Sequence, residues 1–147
     1  MSITEQVQSD VTVAAKARDQ QQLSALRLVL DALKKEAKNA RGELDEQAEI
    51  AVLQRERKRR AEAAEAFRNG GRDEQAQREE AEARVIDRYL PAQLSDGELE
   101  SLVSEALAES GATSPKEMGK VMSALMPKVA GRADGKRVSE LVRSKLQ

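Results

Sequence analysis

The chain has 147 residues, 25 of them basic and 26 acidic, with no histidine, no cysteine and two aromatics, Phe67 and Tyr89. That length fits one domain or two small ones, and the missing thiols and imidazoles exclude disulfides, thiolate metal sites, a cysteine nucleophile and the usual neutral-pH general base. With 35% charged and 1% aromatic residues, a core has to be assembled from Leu, Val, Ile, Met and Ala, which favours helix packed on helix over a sheet sandwich.

The opening Met-Ser-Ile-Thr-Glu-Gln has neither the basic start nor the apolar run of a signal peptide, and no stretch approaches about 18 apolar residues; a cytoplasmic protein with no membrane partner is expected. Ser2 and Glu5 have capping-box spacing, and Ile3, Val7, Val11 and Ala14 then share one face, so a first helix should run to about Arg18. After Asp19, Leu23, Leu26, Leu30, Leu33 and Ala37 recur at three- and four-residue steps, with Gly42 placed to close this second helix. A third should begin near Asp45, carry Ile50, Leu53, Ala64 and Phe67 on one seam, and stop at Asn69-Gly70-Gly71. Arg57 and Arg60 fall close to that seam, so its middle should be wet or face a partner. The fourth should open near Asp73 and run through Ala76, Ala83, Ile86 and Leu90 to Pro91. Glu and Arg crowd its polar face, worth only a few tenths of a kcal/mol per pair.

Pro91-Ala92-Gln93-Leu94 marks the boundary between two bodies, 1–91 and 92–147, because longer helices give way there to shorter ones. Ser95 and Glu98 make another capping box; Leu99, Leu102, Val103, Ala106 and Leu107 form the apolar face of a fifth helix ending at Gly111. Ser114, Pro115 and Glu117 supply an N-cap, an N1 proline and an N3 glutamate for a sixth, with Met118, Val121, Met122 and Leu125 as its stripe. Met118, Met122 and Met126, at four-residue spacing, suit a core better than an adaptable binding groove. Asp134 can cap the seventh, which should bury Val138, Leu141, Val142 and Leu146. The fold class is therefore all-α, a bundle of about four helices followed by three shorter ones.

Charge is unevenly distributed. From Lys116 to Gln147 there are eight basic residues against three acidic, whereas all five charged residues from Ser95 to Ser110 are acidic. Two readings fit the basic tail: contact with several phosphates, helped by backbone N–H groups at the start of the seventh helix where Gly135 leaves room, or simple solvation of a small helical unit. The densest basic run, Arg55-Glu56-Arg57-Lys58-Arg59-Arg60, likewise reads either as a secondary phosphate-contacting patch at Arg55, Lys58 and Arg59 or as a solvated face paired with Glu56, Glu62 and Glu65. Glu79-Glu80 and Glu82 lack the glycine and the ligand spacing of a calcium loop, and phosphate loops, dinucleotide fingerprints and nucleophile elbows are absent. No catalytic residue, metal site or cofactor is expected.

Gly119-Lys120-Val121-Met122, Met126-Pro127-Lys128 and Gly131-Arg132-Ala133-Asp134-Gly135-Lys136, with Leu23-Ser24-Ala25-Leu26-Arg27, Val52-Leu53-Gln54-Arg55-Glu56 and Tyr89-Leu90-Pro91 upstream, resemble the stand-alone proteins of the GatB/YqeY family over essentially the full chain. One departure is Arg57, where such proteins often carry an aliphatic residue. The resemblance implies an N-terminal helical domain and a small three-helix tail domain related to the tail of the tRNA-dependent amidotransferase B subunit and to a module appended to some glutaminyl-tRNA synthetases. It implies tRNA as ligand, with Lys120, Lys128, Arg132, Lys136 and Arg137 as contacts and Gly131 and Gly135 shaping the loop, and synthetase or amidotransferase components as further partners; DNA is not expected. The family association with carbon–nitrogen ligase activity using glutamine as amido-N-donor has no matching active site in this chain. A helical protein–protein adaptor is the alternative. With two aromatics, base stacking is a minor term, and backbone and shape recognition of folded RNA is the expected mode.

Overall fold

Local cap chemistry sets most of the helix starts. The side chains of Ser2, Asp19, Asp45, Ser95 and Asp134 each accept a backbone N–H from the first turn that follows, satisfying a donor the helix itself leaves open. In the computed structural model, which describes all 147 residues, the chain forms α1 (Ile3–Ala17), α2 (Gln20–Ala40), α3 (Glu46–Asn69), α4 (Asp73–Asp87), α5 (Asp96–Ser110), α6 (Met118–Val129) and α7 (Gly135–Leu146), with no strand. It divides into two units, Met1–Leu90 and Pro91–Gln147.

In the first unit α2 supplies the centre of the core, with Leu23, Leu26, Val29, Leu30 and Leu33 packed against Val7 and Ala14 of α1, Val52 and Leu53 of α3, and Ile86 of α4. α3 and α4 pair antiparallel across the Gly70-Gly71 break, where Gly71 takes a positive φ of 75°. Towards that break the apolar contribution shrinks to Ala64 and Ala76, both buried, and small residues let the two helices approach closely. Tyr89 just beyond α4 donates its hydroxyl to Asp10 of α1, and Arg88 reaches Gln22 at 3.0 Å. Burial, then the Asp10 hydrogen bond, raise the Tyr89 pKa, so the phenol stays protonated and the bond keeps its donor.

Several expectations change here. The left-handed residue that ends α2 is Arg41 (φ 58°), not Gly42, whose N–H instead reaches Ala37 O at 3.1 Å. α4 stops at Asp87, three residues before Leu90. In the middle of α3 the inward arginines meet carboxylates of their own unit. Arg57 pairs with Asp87, and Arg60 lies 3.0 Å from Glu82, 3.5 Å from Glu56 and 3.9 Å from Glu79. Two carboxylates are buried, at residues that the helical stripes did not mark as core. Glu56 is held by Arg59 and Arg60, and Glu49 accepts both the backbone N–H and the hydroxyl of Thr4 at 2.6 Å. Glu49 of α3 thereby caps α1, an anion placed at the positive end of a helix dipole.

The second unit is a three-helix body around Leu99, Val103 and Ala106 of α5, Val121, Leu125 and Val129 of α6, and Val138, Val142 and Leu146 of α7. Its start is the full capping box of Ser95 and Glu98, which also holds the Glu98 carboxyl below its ordinary pKa through the Ser95 hydroxyl and N–H. α6 departs from expectation. Ser114 makes no cap hydrogen bond, Pro115–Glu117 forms a 3-10 turn ahead of the helix, and Met126 is exposed rather than core. α6 also continues through Pro127 to Val129, although proline removes a ladder donor.

Candidate nucleic-acid interface

The connection between α6 and α7 is tied down by its own backbone and by the segment that opens the unit. Gly131 is buried and takes φ 76°, a conformation costly for any residue with a Cβ. Its carbonyl accepts from Gln93 Nε2 at 2.8 Å, the same amide that reaches Pro91 O at 2.9 Å. Leu94 N donates to Arg132 O at 2.8 Å, and Arg132 Nε donates to Ala92 O at 3.1 Å. A second Arg132 nitrogen lies 3.5 Å from Lys128 O. Arg132 is thus engaged in holding Ala92 and the end of α6, and it positions the loop. Gln93 is the loop-holding residue that residue-by-residue reasoning missed; the motif around Pro91 contained it, but its acceptor lies 38 residues away.

Gly135 has a different role from Gly131. It is the first residue of α7, its φ is not positive, and beyond its chain neighbours and its own helix backbone no atom lies within 4 Å of where a Cβ would be. The space for close approach exists, but the helix terminus beside it already holds an anion, since Asp134 Oδ1 accepts from Lys136 N at 3.3 Å.

Of the tail cations, three face the acidic helix α5. Lys128 lies 3.5 Å from Glu109, Lys145 lies 3.2 Å from Glu100, and Arg137 pairs with Asp96. The side chains of Lys116, Lys120, Lys136 and Arg143 form no ion pair. Lys120 and Lys136 are exposed, and Lys136 and Arg143, seven residues apart, lie on one face of α7. The structure therefore sorts the expected contacts into exposed unpaired cations (Lys120, Lys136), cations paired with α5 (Lys128, Arg137) and loop-positioning groups (Gly131, Arg132).

The secondary patch on α3 is closely interleaved with carboxylates. Arg55 lies 3.6 Å from Glu36 and Arg59 lies 3.4 Å from Glu56, and Lys58 also has a partner. Arg55 and Arg59 line an open groove between α2 and α3 together with Asp31, Lys35, Glu36 and Asn39, a surface of mixed sign. No three carboxylates converge so as to hold a metal ion, and no helix is long and apolar enough to cross a membrane.

A relative from Pyrenophora tritici-repentis named "Altered inheritance of mitochondria protein 41, mitochondrial" is 26% identical over 144 residues, covering 96% of this chain and 77% of the relative. The profile of the Yqey-like proteins matches residues 4–146, a span that takes in both units and the whole basic tail. The chain belongs to the Yqey-like protein family.

Proposed function

We propose that the protein is a tRNA-binding accessory factor whose C-terminal unit recognises the RNA backbone and fold through the cations of α6, α7 and their connection. The observation that carries this reading is the set of exposed, unpaired cations, Lys120 and Lys136 foremost, mounted on short helices whose loop is fixed by Gly131, Arg132 and Gln93. A fixed loop matters because each mobile side chain that has to be ordered on binding lowers affinity. Contacts to phosphates and 2′-hydroxyls need no aromatic platform, in keeping with a chain that has two aromatics, neither of them in this unit. Lys128 and Arg137 extend the contact surface once released from α5. The protein acts through tRNA alongside amidotransferase or glutaminyl-tRNA synthetase components, in the cytoplasm, and any transamidation chemistry belongs to those partners.

The test is binding of the full chain to bulk tRNA across a salt series, beside a Lys120→Ala/Lys136→Ala variant. We expect affinity to fall steeply with salt, and the variant to bind more weakly with a log–log salt slope shallower by about two units. Arg132 is left intact because its loss would disturb the loop. An unchanged slope removes both lysines from the interface; no binding at low salt leaves the helical-adaptor reading, in which an apolar surface meets a protein with little salt dependence.

A further inference from the structure

We propose that α5 is a built-in electrostatic competitor, in which Asp96, Glu100 and Glu109 hold Arg137, Lys145 and Lys128 and so set which polyanions the tail accepts. This rests on the tail's being the RNA-binding surface. α5 carries five acidic residues and no basic one. Three of the five are matched with cations drawn from both other helices of the unit, one from α6 and two from α7. In each pair the carboxylate is the more exposed member, 95% against 41% for Asp96 and Arg137 and 61% against 27% for Glu100 and Lys145. The apolar core beneath holds the helices together without these pairs. Exposed pairs of this kind are individually weak, which makes them exchangeable.

The consequence for binding follows from ion release. A cation that meets a phosphate normally frees a condensed counterion, and this is the source of the affinity and of its salt dependence. A cation that first has to leave a carboxylate gains much less, because the freed carboxylate takes up an ion as the phosphate sheds one. Random polyanions that reach only these three cations are therefore bound weakly. A folded RNA that also reaches the unpaired Lys120 and Lys136 is not penalised to the same extent. The α5 carboxylates discriminate between a ligand of the right shape and any negatively charged chain.

The measurement compares the full chain with Asp96→Asn, Glu100→Gln, Glu109→Gln and the triple variant, on bulk tRNA and on poly(U), over a salt series. Glu105→Gln is the control, since Glu105 lies on the same helix and makes no ion pair. Each of the three single variants should bind tRNA about 1.5- to 5-fold more tightly than the parent. The triple variant should show a salt slope steeper by up to about three units and a larger gain for poly(U) than for tRNA, and Glu105→Gln should change little. Glu109→Gln sits in the last turn of α5, where losing an anion suits the helix dipole, so it retains the fold even if Asp96→Asn weakens the first turn. Equal gains from Glu105→Gln and the paired variants, or an unchanged slope in the triple variant, would overturn the competitor role while leaving tRNA binding standing. Failure of parent and variants alike to bind tRNA would overturn both.

Discussion

In the first unit Glu49 and Glu56 are buried and Arg60 is surrounded by three carboxylates, whereas in the second no charged side chain is buried and the ion pairs all lie at the rim. The same residue types therefore do different work a few helices apart. Charges in the first unit stand where α3 and α4 offer little apolar surface, since towards the break that pair buries only Ala64 and Ala76. Charges in the second sit on a core that is complete without them, and so remain exchangeable for a ligand's. The difference teaches that counting charges along this chain says little, and that what each one faces decides whether it is structure or surface.

The sharpest way to break this comparison is to remove one cation from each unit. Arg60→Ala leaves Glu56, Glu79 and Glu82 around an empty position and is expected to cost about 3 kcal/mol, as for a buried pair stripped of one partner. Lys128→Ala in the second unit should cost less than about 1 kcal/mol, because its pair with Glu109 is exposed. Urea denaturation of the two variants beside the parent measures both. Comparable losses would mean that the first unit's charges are no more structural than the second's. Next in size comes Glu49→Ala, which strips the acceptor from the Thr4 N–H and hydroxyl and should cost about 2 kcal/mol. Amide exchange reads this one directly, since the Thr4 end of α1 should lose protection while α5 to α7 keep theirs.

Much of this architecture was legible because its signals are local. The caps at Ser2, Asp19, Asp45, Ser95 and Asp134 depend on residues two or three positions away, and the stripes on α2, α5 and α7 repeat at the helical period. What escaped depends on distance or on drift. Arg60 turns inward because Glu79 and Glu82 meet it from α4, and Arg132 is structural because the carbonyl of Ala92, 40 residues earlier, accepts a hydrogen bond from its Nε–H. Met126 leaves the core for a reason the sequence contained. Each four-residue step rotates about 40° past a full turn, so the third methionine has moved off the face that Val121, Leu125 and Val129 share. The same limit applied to the candidate site: the cationic tail could be read from composition, but its division between paired and unpaired cations needed α5 in place.

The smallest effect expected is a gain rather than a loss, and it tests the first unit from the opposite direction. Glu82 has its pKa raised, by partial burial first and by Glu79 second, with Arg60 only partly opposing them. An acid whose folded-state pKa lies above its unfolded value holds its proton more tightly when folded. Stability is therefore lost as pH rises through the raised pKa, and the full penalty is in place at neutral pH. Glu82→Gln removes that charge yet keeps an oxygen to accept from Arg60, which still has Glu56 and Glu79. The variant should be more stable than the parent at pH 7, by less than any loss above, and the advantage should fade as acid protonates the parent's Glu82 in both states. A loss at pH 7 approaching that of Arg60→Ala would mean that Arg60 depends on Glu82 alone. A gain that fades with acid would mean instead that the network holds one carboxylate more than its arginine can compensate.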